Sequence, residues 1–285
     1  AIVRDPNTTV TAQGCMLRRL SLCALISATY VRPASAITMM PAMPTAPTTL
    51  TYWNGRGLCE SIRFMLAFTG EAYEEAVPGF EGVTHLSQPE HLKSMRDQGL
   101  LLFGQVPLLR IDGLNLVQSK AIIRYLAEKH CVCGSNPALK ARADMLAEGI
   151  DDLRTSMGRA FEFNFGAYAQ TAEQKQRTAD ACDKYLPCFE RALAHDAGPY
   201  LVENSPVFVD VLLFDTMDQL LTAGHAEAFA AFPCLQAHRA GMLDASTPHG
   251  PRLQAFLDSD LRKSKTQDGI EGYKASVQQT MQRVI

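Results

Sequence analysis

The spacing of apolar residues changes near residue 130, and this change limits the fold more than any other feature of the chain. In residues 48–130, short β-like runs alternate with helical runs in the order βαβ, α, ββα. In residues 137–285 the spacing is helical throughout. We therefore predict an α/β domain over residues 48–130, a linker over residues 131–136 and an all-helical domain over residues 137–285.

Turn and capping signals predict individual elements within both parts. The Asp112-Gly113 pair between two β-like runs predicts a hairpin. Ser119 stands before apolar residues at helical spacing, which predicts a helix with Ser119 as its N-cap. The other elements predicted in the α/β part are a second strand at residues 72–77 and a short helix at residues 90–96. The helices predicted in the second part are a stripe from Leu146 to Phe161, residues 172–193, residues 207–221, residues 248–257 and a last helix near residues 275–283.

Composition excludes several classes of protein. Apolar residues make up 47% of the 285 residues and charged residues 20%, close to globular averages, so a disordered or fibrous chain is excluded. The net charge is −3, so the chain lacks the excess of basic residues that is typical of a nucleic-acid-binding protein. No apolar run reaches the roughly 18 residues that a membrane-spanning helix needs. The eight cysteines form no C-x-x-C pair and do not pair with histidines, so we expect reduced packing thiols and no metal site.

Residues 1–47 have the composition of a targeting segment. No acidic residue lies between Asp5 and Glu60, whereas arginine, serine, threonine, alanine and proline are frequent. We predict that this segment directs the protein to an organelle, either mitochondrion or plastid, or into the secretory route. The alternative is a disordered tail, or translated upstream sequence before a later start. A start at Met39 or Met40 predicts a cytoplasmic protein.

Four sequence runs occur in the order and on the elements found in one known family. They are LTYWNGRGLCESIR at residues 50–63, Gln105-Val106-Pro107, Asp112-Gly113 and QSKAIIRY at residues 118–125. The chain resembles the cytosolic glutathione transferases, most of all the tyrosine-dependent alpha, mu and sigma classes, over residues 50–257. The resemblance implies a thioredoxin-like domain followed by a helical domain, glutathione as co-substrate without a metal, a small-molecule electrophile and a homodimer.

Tyr52, at the end of the first predicted strand, falls on the catalytic tyrosine of this family. A thiol with a pKa of about 8.5 is a weak nucleophile at neutral pH, but a hydroxyl that donates to the sulfur stabilises the thiolate. Spacing alone favours an ordinary strand-end tyrosine, whereas the resemblance implies that Tyr52 activates glutathione. Cys59 offers a rival mechanism through a mixed disulfide. Because Cys59 lies inside the first predicted helix, we expect a packed thiol there.

The resemblance also implies which residues hold glutathione. They are Trp53, Leu58, Arg96, Gln105, Val106, Pro107, Gln118, Ser119 and Asp152. In the family the Val106–Pro107 bond is cis, which turns the backbone of Val106 towards the cysteinyl part of glutathione. Gln118 and Ser119 stand at a helix N-terminus, where free N–H groups and the helix dipole attract the γ-glutamyl carboxylate.

The other matching positions contact the remaining parts of glutathione and the electrophile. Arg96 matches the residue that contacts the glycine carboxylate, and Asp152 matches the acid that reaches the glutathione amine in the partner subunit. The hydrophobic substrate site is expected at Gly55, Met157 and Phe161. Without the resemblance, Arg96 is a solvated surface charge and Asp152 is a polar residue on a helix face.

The chain departs from the family at two positions. Leu58 stands where alpha enzymes have an arginine that assists thiolate formation, which leaves Tyr52 as the main activator. Val207 stands where the family has a Ser or Thr helix cap, although Asp210 is retained. A lost cap costs about 1 kcal/mol of stability.

Two functional interpretations follow. The first is an active glutathione transferase that adds the thiolate to electrophilic carbon, with reduction of organic peroxides as a further activity. The second is a non-catalytic protein of the same fold that serves as a structural or binding subunit of an organelle assembly. The intact set of predicted glutathione contacts favours the enzyme.

Overall fold

The structure of the protein is a computed structural model that describes residues 46–158, 171–195 and 198–262. Residues 1–45 of the predicted targeting segment, Phe161 and the predicted last helix lie outside these residues. Within the described ranges, no helix is long and apolar enough to cross a membrane.

The first domain is built on a four-stranded sheet. Its elements are β1 (Thr49–Thr51), α1 (Glu60–Thr69), β2 (Glu74–Glu75), α2 (Pro89–Asp97), β3 (Leu108–Ile111), β4 (Leu114–Val117) and α3 (Ser119–Lys129). The strand order is β2-β1-β3-β4, with β1 parallel to β2 and the other neighbours antiparallel. This arrangement confirms the predicted order βαβ, α, ββα and places β1 in the interior of the sheet.

The turns and element boundaries of this domain agree with the predictions except at two places, the N-cap of α3 and the length of β2. Asp112 and Gly113 join β3 to β4 with φ of 51° and 79°, the left-handed conformations that a two-residue hairpin turn requires. Ser119 is the first residue of α3 rather than its N-cap, so that prediction is wrong. The N-cap is Gln118, whose φ of 70° turns the chain from β4 into the helix. β2 is shorter than residues 72–77 because this edge strand pairs with β1 through two residues only.

The second domain consists of helices. They are α4 (Pro137–Met157), α5 (Ala172–His195), α6 (Phe208–Thr222), α7 (Pro233–Met242) and α8 (Gly250–Leu257). Helical spacing predicts all of these except α7. The buried residues of α7 are Leu235, His238 and Met242, and the central histidine interrupts the apolar stripe that would identify the helix.

Helix α6 runs through the core of this domain, with most of its residues buried. Its N-cap is Val207, which has no hydrogen-bonding side chain. Asp210 compensates in part, because its carboxylate accepts hydrogen bonds from the backbone N–H of Val207 and of Leu201, both at 2.8 Å. Nε2 of the fully buried His238 lies 3.1 Å from the same carboxylate. One acid therefore connects the start of α6, the preceding loop and α7.

Aromatic side chains fix α1 against the helical domain. The ring of Phe64 in α1 meets Phe214 of α6 edge-on, with centroids 5.5 Å apart. It meets Phe256 of α8 in the same way, at 5.0 Å. Such edge-to-face aromatic pairs contribute more to stability than their buried area alone would give. The connection from β1 to α1 is therefore positioned by both domains.

Candidate functional site

Tyr52 follows β1 directly, and its side chain is only 4% exposed. Its carbonyl oxygen accepts from the N–H of Leu86 at 2.9 Å, which fixes the backbone at this point. Its hydroxyl oxygen accepts from the backbone N–H of Leu58 at 3.3 Å. A hydroxyl oxygen that accepts a hydrogen bond becomes a better donor through its own proton. This contact therefore favours donation from Tyr52 to a negatively charged group.

The turn that follows β1 is held by Arg63 of α1, which is fully buried. Its Nη1 donates to the carbonyl oxygen of Gly55 at 2.9 Å, and its Nε donates to Glu75 at 2.6 Å. Glu60 lies 3.3 Å from the same guanidinium. Burial lowers the pKa of Arg63, but the interactions with Cys59, Glu60 and Glu75 outweigh burial and raise it. The guanidinium is therefore charged and fixes the turn.

Arg56 extends this buried charge cluster to the helical domain. Its Nε lies 3.6 Å from Glu60, and its Nη1 lies 3.9 Å from Asp218 of α6. Burial lowers the pKa of Arg56 to about 10, so the side chain is still protonated at neutral pH. Burial also raises the pKa of Glu60, against the attraction of Arg63 and Arg56. The turn beside Tyr52 thus depends on charges from both domains.

Arg154 of α4 makes a second polar connection between the domains. Its guanidinium donates to Ser61 in α1 at 2.9 Å. It also donates to Thr216 at 2.8 Å and to Asp215 at 2.9 Å, both in α6. Ser61 in turn donates to Asp215. Sequence reasoning missed this cluster, because one arginine on a helix gives no signal of what it will contact.

A cleft of about 220 Å³ opens between α1, α3, α4 and α6. Its lining includes Leu58 from the turn, and Gln118 and Ser119 from the start of α3. The first hydrogen bond within α3 runs from the N–H of Ile122 to the carbonyl of Gln118. The N–H groups before Ile122 therefore face out of the helix end, where they can bind an anion.

Other residues predicted to contact glutathione lie together on a neighbouring loop. Arg96, in the last turn of α2, donates through Nε to the carbonyl oxygen of Gly104 at 2.8 Å. The next residue, Gln105, is exposed, and the Val106–Pro107 peptide bond is cis. This loop and Trp53, which is buried beside Leu86, do not line the cleft at α3. The predicted residues thus form two groups.

The acid predicted on α4 and the described residues of the expected hydrophobic site do not line the cleft. Asp152 is exposed and does not line the cleft, whereas the adjacent Asp151 does. Gly55 and Met157 are buried, and Phe161 lies outside the described residues. Leu58, at 47% exposure, presents an apolar side chain to the cleft.

Cys59 is fully buried at the end of a short 3-10 turn that leads into α1. A thiol in that position is not exposed for a mixed disulfide with glutathione. In the part of the chain that the structure describes, no group of three or more His, Cys, Asp or Glu side chains is arranged to hold a metal ion.

The sheet order, the helical second domain and the tyrosine after β1 define a thioredoxin-like domain joined to a helical domain. Family models describe the same two parts. The model for the glutathione S-transferase N-terminal domain matches residues 48–128, and the model for the C-terminal domain matches residues 151–260. The chain belongs to the glutathione S-transferase family, which confirms the resemblance, the predicted fold class and the predicted class of enzyme.

Individual relatives support the alpha side of the resemblance. Glutathione S-transferase A4 of Mus musculus is 32% identical over 225 residues, which cover 77% of this chain and 92% of that protein. Glutathione S-transferase alpha I of Oryctolagus cuniculus is 32% identical over 227 residues, covering 76% and 95%. Among solved structures, a Nu-class enzyme of Haemonchus contortus is 26% identical with a TM-score of 0.60, covering 77% and 98%.

Proposed function

We propose that the protein activates the thiol of glutathione as thiolate through Tyr52 and conjugates glutathione, through its sulfur, to small hydrophobic electrophiles. The observation that carries the proposal is the hydrogen bond from the backbone N–H of Leu58 to the Tyr52 hydroxyl, because Leu58 lines the cleft that contains the N-terminus of α3. In this proposal the Tyr52 hydroxyl donates its hydrogen bond to the thiolate sulfur. Peroxide reduction is part of the proposal. The thiolate attacks the O–O bond of an organic hydroperoxide, which releases the alcohol and oxidises glutathione to its sulfenic acid, and a second glutathione converts the sulfenic acid to glutathione disulfide and water.

The proposed position of glutathione follows from the polar groups on both sides of Tyr52. The γ-glutamyl carboxylate would bind the N-terminus of α3, with Gln118 and Ser119. The cysteinyl backbone would pair with Val106. Arg96 donates through Nε to the Gly104 carbonyl. Its Nη groups would bind the glycine carboxylate of glutathione. The full proposed set also contains Trp53, Leu58, Gln105, Pro107 and Asp152.

A binding and activity measurement tests this function directly. We expect the purified protein to be retained on immobilised glutathione and eluted by free glutathione. We also expect it to accelerate the reaction of glutathione with a chromogenic aryl halide above the uncatalysed rate. Absence of both retention and activity would instead support the non-catalytic alternative, in which the fold serves a structural or binding role.

We also propose a homodimer, and the exposed apolar side chains of the subunit support it. Leu102 and Phe103, on the loop after α2, are 81% and 61% exposed. Met145 on α4 is also exposed. Large apolar side chains that protrude in this way are typical of residues that a partner covers.

Replacing Phe103 by serine is expected to weaken the dimer. An aromatic residue at the centre of an interface contributes about 2 kcal/mol or more, so the Kd of the dimer should rise about 30-fold. Sedimentation equilibrium measures this constant. The control is Leu114→Ser in β4, which removes an exposed leucine from another surface. Equal dimerisation of Phe103→Ser and the unchanged protein would contradict the proposed interface.

A further inference from the structure

A second cleft lies at the C-terminal end of α1, away from the turn that holds Tyr52. Its volume is about 400 Å³, and it opens between the end of α1, the linker after α3, the loop before α6 and the start of α8. Among the described residues, none lines both this cleft and the one at the start of α3. Helix α1 has 10 residues, so its two ends are about 15 Å apart. The second cleft is therefore separate from the site proposed for glutathione.

The lining of the second cleft is largely polar. Hydroxyl and amide groups come from Thr69, Asn204, Ser205 and Thr247, and basic groups come from His249 and Arg252. A purely apolar molecule would displace water from these groups without replacing its hydrogen bonds. The lining therefore favours a ligand that carries hydroxyl groups and a negative charge.

Arg252 of α8 provides a fixed positive charge at this cleft. Its Nη1 donates to the carbonyl oxygen of Phe68 at 3.2 Å. Its guanidinium also lies against Gly70, where an added Cβ would be 2.9 Å from Nη1. Among the described residues, no carboxylate forms an ion pair with Arg252. The remaining N–H groups of the guanidinium can thus bind a carboxylate or a phosphate in the two-point geometry that arginine favours.

His249 provides a buried hydrogen-bonding atom at the same cleft. The residue is 8% exposed, and its ring packs against Phe68 and Tyr200, with centroid distances of 5.3 and 6.3 Å. Burial lowers the pKa of His249, against a hydrogen bond to the backbone of Gly241 that raises it, so the ring is neutral at neutral pH. Nε2 has no hydrogen-bond partner among the described residues. A neutral ring that donates to Gly241 leaves Nε2 to accept a hydrogen bond, and a buried acceptor without a partner is unfavourable.

We propose that the second cleft binds a small hydroxylated organic anion. Arg252 holds its carboxylate or phosphate group, and Nε2 of His249 accepts from one of its hydroxyl groups. His249 is the N-cap of α8 with helical backbone angles, φ −90° and ψ −33°, and Arg252 follows three residues later, so both side chains lie on one side of the helix. The site does not require glutathione, and the inference therefore stands apart from the proposed function.

Calorimetry with matched ligands on one six-carbon chain tests this assignment. Gluconate carries a carboxylate, glucitol phosphate carries a phosphate, and glucitol is neutral. We expect at least one of the two anions to bind with a Kd below about 1 mM, and the better anion identifies the preferred charged group. Glucitol should bind at least about tenfold more weakly, because it lacks the charge that Arg252 pairs with. The matched anion without hydroxyls, hexanoate or hexyl phosphate, should bind at least about fivefold more weakly.

Two variants assign the contacts. Arg252→Gln should raise the Kd of the better anion about tenfold, and His249→Phe, which keeps a buried ring, should raise it about fivefold. His249→Phe should change the Kd of the matched anion without hydroxyls less than twofold. The control, Arg124→Gln, removes a cation that lines the cleft at α3 and should leave the Kd of the better anion unchanged.

Three results would overturn the proposal. The first is that neither anion binds to the unchanged protein at about 10 mM, which needs no variant to fold. The second is tighter binding of hexanoate or hexyl phosphate than of the hydroxylated anion, which would show a hydrophobic site. The third is a loss in Arg124→Gln with none in Arg252→Gln or His249→Phe, which would place the anion in the cleft at α3.

Discussion

Replacing Tyr52 by phenylalanine is expected to lower kcat/KM for an aryl halide about 25-fold at pH 7. The reason is the ionisation of bound glutathione. If the Tyr52 hydroxyl lowers the thiol pKa by about two units from 8.5, the thiolate fraction at pH 7 is about three quarters with Tyr52 and a few per cent without it. The phenylalanine ring would keep the shape of the site, because Tyr52 is almost fully buried and the two rings have the same outline.

The pH profile separates this role from a structural one. The loss should approach about 100-fold at low pH and vanish above the pKa of free thiol, where glutathione is ionised without help. Stopped-flow rates across pH, together with the ultraviolet absorbance of bound thiolate, measure both pKa values. Tyr125→Phe is the control, since that hydroxyl contacts Asp112 on the surface at 2.7 Å. A loss in Tyr52→Phe that is the same at every pH would contradict thiol activation.

Local signals predict the frame of the site well. The Asp-Gly hairpin, the start of α3 to within one residue and the order of strands and helices along the chain all follow from turn chemistry and apolar spacing. These signals fail where contacts between residues far apart in the sequence determine the structure. The length of β2 depends on how far it pairs with β1, and α7 contains His238 on its buried face because Asp210 of a distant helix accepts from it.

The same distinction applies to the site. The position of Tyr52 at the end of a strand can be predicted, because it depends on the local sequence. Which of Asp151 and Asp152 lines the cleft at α3 cannot be predicted, because two adjacent acids differ only in the angle at which α4 presents them to α3. The connection from Arg154 to Ser61 and Asp215 requires three helices from both domains to meet. No pattern within one helix contains that information.

Replacing Arg63 by methionine is expected to reduce the free energy of unfolding by about 3–5 kcal/mol, the usual result of removing one partner from a buried ion pair. Methionine fills a similar volume but leaves Glu60 and Glu75 buried beside a missing charge. Urea denaturation followed by fluorescence measures the change. Arg124→Met is the control: its partners Asp144 and Glu148 are at the surface, so we expect a loss within about 1 kcal/mol.

The dependence on pH identifies the cause of this loss. Burial already raises the pKa of Glu60, and removal of Arg63 takes away the nearest opposing charge, so the pKa should rise further. A carboxyl group whose pKa is higher in the folded state stabilises the fold as the pH falls, because the folded protein then binds more protons. The penalty of Arg63→Met should therefore shrink from pH 7 to pH 5. Adding Glu75→Gln should recover part of the stability at pH 7. A penalty that is constant with pH and unaffected by Glu75→Gln would show that Arg63 acts through packing and its bond to Gly55, and not by balancing buried charge.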